Sequence, residues 1–161
     1  MRKLLILVVL AALAAPVAAL GDDETPTTGQ TANAICKAEL KKLGAETFKA
    51  TYGTNANKSN AFGKCVSKNA QSADHANQNA AKMCKAERDS LGGDAFAQKY
   101  GTNPNGRNAF GKCVSAHAQM EADHEVAETV SAAKTCKAER AKDPAAFKKK
   151  YKNFGACVSA K

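Results

Sequence analysis

The chain has 161 residues, a formal net charge of +9 and no Trp. Only 16 of the 142 residues from position 20 onward are Leu, Ile, Val or Phe. That is well below the roughly 20% expected of a packed globular protein. A deep, water-excluding pocket needs a larger apolar core, so the composition argues against most enzyme folds.

The N-terminus has the pattern of a secretory signal peptide, which we place at residues 1–19. Arg2 and Lys3 precede an apolar run over residues 4–15, and small residues follow at the expected cleavage point. Continued past Pro16 to residue 20, the apolar stretch is about 17 residues long, the lower limit for a membrane-spanning helix, so an uncleaved anchor is the alternative. We expect a flexible tail over residues 20–32 and a secreted protein, extracellular or periplasmic, with no transmembrane segment after cleavage.

The rest of the chain contains three copies of one unit. Unit one covers residues 33–68, unit two 83–116 and unit three 134–161. Each opens with Cys-Lys-Ala-Glu, carries Phe and Tyr four residues apart, and closes with Phe-Gly-x-Cys-Val-Ser. Units one and two also contain a Tyr-Gly-Thr-Asn loop, which unit three lacks. The shared residues therefore form the skeleton of the unit, and the loop is an optional addition.

The spacing of apolar residues within a unit predicts helices. In unit one, Phe62, Cys65 and Val66 follow the i, i+3, i+4 spacing of one helical face, and units two and three repeat it. Gly residues mark helix ends, and Asp143-Pro144 is a typical helix start. We expect an all-α fold of three helical-hairpin repeats, with Asn60 and Asn108 as N-caps of the closing helices in units one and two. We interpret the repeated Lys-Ala-Glu triplet as helix-surface polarity.

Six cysteines permit 15 disulfide pairings. Repetition favours pairing within each unit, as Cys36–Cys65, Cys84–Cys113 and Cys136–Cys157. Each bond would contribute about 3–4 kcal/mol in the chain-entropy model, which a unit with so few large apolar side chains needs. Free or metal-bound thiols are the weaker alternative, because the chain has no Cys-x-x-Cys pair and is expected to be exported.

Two connectors link the units, over residues 69–82 and 117–133. No Gly or Pro occurs in residues 64–91 or 112–143, so we expect the closing helix of one unit to continue into the opening helix of the next. The predicted object is an elongated string of stapled hairpins. Because the connectors are rich in Asn, Ser and Ala, frayed connectors are the alternative.

These motifs resemble those of exported bacterial proteins built from repeated units of the form CKAER…YGTN…NAFGKCVS. The resemblance covers nearly all the chain after the signal peptide, and it implies no activity or ligand. Unit three departs from the pattern by lacking the Tyr-Gly-Thr-Asn loop, and Leu40 stands where the other two units have Arg.

One stripe of a connector helix offers metal ligands. It places two His and two Glu at i, i+4, i+7 and i+11, namely His117, Glu121, His124 and Glu128. Such spacing can hold zinc or copper between neighbouring pairs. A solvated polar face is the plainer interpretation, since a structural zinc site has four convergent ligands.

Positive charge is concentrated in unit three. Residues 133–161 hold nine basic and two acidic residues, whereas residues 20–132 hold 13 of each. Four lysines cluster as Lys148, Lys149, Lys150 and Lys152. The cluster predicts docking to a polyanion such as an envelope polymer, and a solubilising tail is the alternative. No motif for sequence-specific nucleic-acid recognition is present.

The sequence offers no catalytic motif, and we expect no cofactor. We interpret the chain as an exported, non-enzymatic repeat protein that acts as a structural or interaction module of the cell envelope or extracellular space. The alternatives are a metal-binding protein using the His/Glu stripe and a small secreted enzyme with an unrecognised site.

Overall fold

The structure is a computed structural model that describes residues 25–161; the predicted signal peptide lies outside them. This part of the chain contains seven helices and no strand, so the all-α prediction is confirmed. The helices are α1 (Thr28–Leu43), α2 (Ala45–Tyr52), α3 (Ala61–Leu91), α4 (Gly93–Tyr100), α5 (Ala109–Lys142), α6 (Pro144–Lys150) and α7 (Phe154–Val158).

Three disulfides join the helices in the pairs that the repeat predicts. Cys36–Cys65 links α1 to α3, Cys84–Cys113 links α3 to α5, and Cys136–Cys157 links α5 to α7. All six cysteines are fully buried. Each disulfide lies in a small apolar cluster with a buried Phe of its own unit, respectively Phe48, Phe96 and Phe147.

The long helices α1, α3 and α5 pack side by side as a three-helix bundle. Helix α3 runs antiparallel to α1: Cys36 meets Cys65, whereas Thr31, nearer the start of α1, donates to Asn77 further along α3 at 2.9 Å. With 34 residues, α5 is the longest helix and spans about 51 Å. The predicted string of separate hairpins is therefore wrong, because the units fold back on one another.

Small side chains explain why the connectors pack instead of standing free. Helix α3 buries a stripe of Ala73, Ala76 and Ala80, and α5 buries Ala118 and Ala122. Side chains this short let helix backbones approach closely, and the stripe follows the helical period. At the centre of the bundle, Ala32 and Ile35 of α1 pack against this surface. The cluster they form is completed by Ala73, Ala122 and Val126.

Helix α1 begins earlier than the predicted tail allows. The expected flexible segment extended to residue 32, but α1 starts at Thr28, and Thr31 and Ala32 are buried. A capping box causes the early start: the Thr27 hydroxyl accepts from the Gln30 amide, and the Gln30 side chain accepts from the Thr27 amide.

The turns between helices follow local chemistry. Gly44 and Gly92 end α1 and α3 with positive φ values of 75° and 82°, which glycine adopts without steric cost. Asp143 caps α6 by accepting from the Ala146 amide at 2.8 Å, with Pro144 as the first helical residue, as predicted.

Asn60 and Asn108 stand at the N-cap positions, but their side chains do not bond to the helices that follow. Each instead holds the preceding loop. Asn60 donates to the Thr54 hydroxyl at 2.7 Å and accepts from the Thr54 amide, and Asn108 does the same with Thr102. The side chains predicted to cap helices therefore stabilise the preceding loops. The Thr to which they bond comes from the Tyr-Gly-Thr-Asn motif.

The turns of units one and three lie at the same end of the bundle, and the turn of unit two lies at the other. Helix α7 packs directly on α2: a Cβ on Gly155 would come within 2.2 Å of the Thr51 carbonyl oxygen. Leu43 and Ala50 of unit one pack against the core cluster of unit three. Lys68 also donates to the Ser159 hydroxyl at 2.9 Å.

Candidate functional site

The glutamate of each Cys-Lys-Ala-Glu motif contacts side chains of its own unit, so the interpretation of the triplet as helix-surface polarity is incomplete. In unit two, Glu87 accepts from the Tyr100 hydroxyl at 2.9 Å and from Lys99. The hydrogen bond from Lys99, which has the larger effect, and that from Tyr100 hold the pKa of Glu87 below its ordinary value. In unit three, Glu139 pairs with Lys161, which lowers the pKa of Glu139 likewise.

The arginine that follows this glutamate stacks on the closing helix of the same unit. Arg88 lies over the Phe110 ring with its guanidinium carbon 5.6 Å from the ring centroid, and Arg140 lies over Phe154 at 5.1 Å. In unit one, Leu40 occupies this position, and both Leu40 and Phe62 pack against the core of that unit. The difference between units one and two therefore exchanges a cation–π contact for an aliphatic one.

Unit one buries its glutamate completely. Glu39 is 0% exposed, and its Oε1 atom has no hydrogen-bond partner. Its Oε2 atom lies 3.4 Å from the Sγ atom of Cys65, which as a disulfide sulfur has no proton to donate. Burial raises the pKa of Glu39, and nearby Tyr52, Thr129 and Lys68 offset only part of this effect. A protonated carboxyl suits this environment.

Unit two places His117 where unit one has Asn69, four residues after the second cysteine. In unit one, the Asn69 amide donates to Sγ of Cys65 at 3.4 Å. The His117 side chain is 16% exposed, with its Nε2 atom 3.7 Å from the Glu87 carboxylate and its Nδ1 atom buried without a partner. A nitrogen of His117 and the two sulfurs of Cys84 and Cys113 all lie within 4.8 Å of one another.

The predicted His/Glu stripe divides between different surroundings. His117 faces Glu87 inside unit two, whereas His124 pairs with Glu128 at 3.7 Å on the exposed surface. Among residues 25–161, the only groups of three close potential ligands are Cys84/Cys113/His117 and Cys36/Glu39/Cys65. Neither group includes Glu121, His124 or Glu128, and the cysteines of both are in disulfides. The structure thus brings together no three members of the predicted stripe.

The predicted lysine cluster is exposed. Lys148, Lys149 and Lys150 form the last turn of α6, and Lys152 follows it. The Nζ atom of Lys150 lies 3.9 Å from the Glu139 carboxylate and over the Tyr151 ring, 5.0 Å from the centroid. None of the other three makes an ion pair with a described residue, so they remain available to an anion outside the chain.

The lysines of unit three share their end of the bundle with those of unit one. Unit one holds seven basic and two acidic residues, and unit three holds nine basic and two acidic. Residues 69–133, which form unit two and both connectors, hold six basic and eight acidic. Unit one therefore has a net positive charge, although residues 20–132 taken together are neutral.

An open groove runs beside this end, between α5 and the C-terminal residues. Both charge signs line it, through Lys68, Lys161, Glu125 and Glu128. Within it, Lys68 donates to Ser159, a contact that resembles the lysine–serine pair of a hydrolase. Lys68 is exposed, and a lysine base requires a desolvated site, so this contact does not supply a nucleophile.

Comparison of the chain with protein-family models, curated proteins and solved structures finds no match. The resemblance to exported repeat proteins therefore stays a prediction. Within residues 25–161, no helix has the length and apolar character that crossing a bilayer requires.

Proposed function

We propose that this protein is an exported, non-enzymatic interaction module, built from three repeats of one disulfide-stapled helical hairpin, that docks to a polyanion through the basic residues of unit three. The observation that carries the proposal is the exposed cluster Lys148, Lys149, Lys150 and Lys152, of which only Lys150 has an acidic partner among residues 25–161. Lysines in such an array displace counterions from a polyanion, which makes binding favourable at low salt.

Export rests on the N-terminal pattern and agrees with the cysteine chemistry. Six of six cysteines form disulfides, and disulfides persist in oxidising compartments outside the cytosol. The interaction role agrees with the small core clusters around each disulfide. The metal-binding and enzymatic alternatives stay predictions, and the geometry of the His/Glu stripe favours neither.

The test replaces the four lysines of the cluster in the full-length mature protein, as Lys148→Gln, Lys149→Gln, Lys150→Gln and Lys152→Gln. Titration calorimetry with long-chain polyphosphate measures affinity over a range of salt concentrations. We expect an affinity loss of about tenfold or more and a weaker salt dependence, because fewer counterions are released.

The matched control removes four positive charges from unit two and the connector residue before it, at Lys82, Lys85, Arg107 and Lys112, all of which are exposed; we call it the unit-two variant. This control should bind nearly as tightly as the natural protein. Equal losses in the two variants would mean that only net charge matters. An unaffected cluster variant, with helicity and disulfides intact, would reduce the lysines to a solubility feature.

A further inference from the structure

The packing of α7 on α2 joins two basic units that are distant in the sequence. Gly155 lies against the Thr51 carbonyl, Leu43 and Ala50 enter the core of unit three, and Lys68 bonds to Ser159. These contacts place the turn of unit one and the C-terminal helix of unit three at one end of the bundle. Unit two lies at the opposite end.

The exposed lysines of unit one cluster where its helices turn. Lys41 and Lys42 lie in the last turn of α1, Lys49 in the last turn of α2, and Lys64 in the first turn of α3. Glu46 pairs with Lys49 at 3.5 Å on an exposed surface, where such a pair contributes little. Glu39, the other acidic residue of unit one, is fully buried.

We infer that units one and three form a single binding surface, the basic end, defined as residues 33–68 and 134–161. It holds 16 basic and four acidic residues. We further infer that its ligand is a linear polymer of phosphate or sulfate groups, long enough to contact both units at once. This inference rests on the proposed function and extends its site to a second unit.

A polymer fits the basic end better than a lipid surface does. Stable membrane attachment generally combines basic residues with an apolar anchor. Among residues 25–161, the exposed large apolar side chains are Met83, Leu91 and Met120, and none of them belongs to unit one or unit three. The basic end therefore offers charge without an apolar group to insert.

The test adds a unit-one variant to the two variants above, with Lys41→Gln, Lys42→Gln, Lys49→Gln and Lys64→Gln. All three variants lose four positive charges, so the comparison holds net charge constant. Circular dichroism and non-reducing peptide mapping verify the fold. The probes are long-chain polyphosphate, tripolyphosphate at the same phosphate concentration, and vesicles of phosphatidylglycerol and phosphatidylcholine.

We expect the unit-one and unit-three variants each to lose about tenfold or more in affinity for the long polymer, while the unit-two variant changes little. The natural protein should bind the long polymer far more tightly than tripolyphosphate, and should leave the vesicles unbound at physiological salt.

The outcomes separate the two proposals. If only the unit-three variant loses affinity, the proposed function stands and the shared surface is refuted. If the unit-three variant binds normally, the proposed function itself fails. Vesicle binding as tight as polymer binding would overturn the polymer as ligand, and so would equal affinity for tripolyphosphate.

Discussion

The glutamate three residues after the first cysteine meets a different environment in each unit. Glu87 and Glu139 are partly exposed and pair with lysines, whereas Glu39 is fully buried next to the Cys36–Cys65 disulfide. The same motif therefore lowers the pKa of two carboxyls and raises that of the third. As the pH rises, Glu39 therefore makes the folded protein less stable, whereas Glu87 and Glu139 make it more stable.

Replacing Glu39 with Gln should stabilise the protein at neutral pH. The folded-state pKa of Glu39 is above its ordinary value of 4.5, so its contribution to stability is full below that value and is lost as the pH rises through the raised one. Gln is neutral at all pH values. Relative to the natural protein, Glu39→Gln should gain about 1.4 kcal/mol for each unit of upward shift and nothing at acidic pH. Urea unfolding between pH 3 and about 8 measures this difference.

Glu87→Gln provides the control of opposite sign. Because hydrogen bonds from Lys99 and Tyr100 lower the pKa of Glu87, its contribution is present above the ordinary value and is lost as the pH falls through the lowered one. This variant should be less stable than the natural protein at neutral pH, with the difference closing in acid. A gain at neutral pH in both variants would contradict the assigned environments.

Residue patterns predicted some of these roles but not others. The disulfide pairs and the Asp143 cap follow from repetition and from local propensity. The Lys-Ala-Glu triplet alone does not reveal the role of Glu39 and Glu87. The spacing from the cysteine does, because Cys36 and Glu39 are three residues apart and so share a helical face. The Thr27-x-x-Gln30 capping box is also visible in the sequence and would have placed the start of α1 correctly.

At the scale of helices, the glycine of the closing motif has different surroundings in units one and three. Gly63 and Gly155 occupy the same motif position, before the second cysteine of units one and three. A Cβ on Gly63 would meet nothing within 4 Å, whereas one on Gly155 would overlap the Thr51 carbonyl of α2. Gly155 therefore permits the close approach of α7 to α2, whereas Gly63 lies at no close contact between helices.

Gly155→Ala should destabilise the protein by about 1–3 kcal/mol, the range for overpacking a close contact. Gly63→Ala, at an exposed position inside α3, should instead stabilise it by up to about 1 kcal/mol through helix propensity. Thermal and urea unfolding of the two variants gives the comparison. Similar effects of both substitutions would show that α7 does not lie against α2.

The continuity of α3 and α5 from one unit into the next was predictable because residues 64–91 and 112–143 contain no Gly or Pro. Their packing was harder to foresee. The stripe at Asn69, Ala73, Ala76, Ala80 and Cys84 has helical spacing, but alanine gives a weak apolar signal that is also common on exposed helices. Only the partner helices distinguish a buried alanine stripe from an exposed one, and that information lies outside the segment itself.

At the scale of the whole molecule, folding back redistributes charge. In the sequence, unit one and unit three are separated by residues 69–133, with six basic and eight acidic residues. In the bundle, this separating segment reaches the far end and returns, so the two basic units adjoin. The polyanion hypothesis was accessible from the lysine cluster in unit three, but the contribution of unit one required the antiparallel course of α3 and α5.

Cross-linking mass spectrometry on the natural protein tests this arrangement most directly. A short lysine-reactive linker should join Lys68 to Lys161, which line the same groove, and should connect other lysines of units one and three. Lys85 and Lys112 in unit two should react with the linker yet form no links to unit three. Links confined within each unit, with none between units one and three, would contradict the folded-back bundle and the shared basic end.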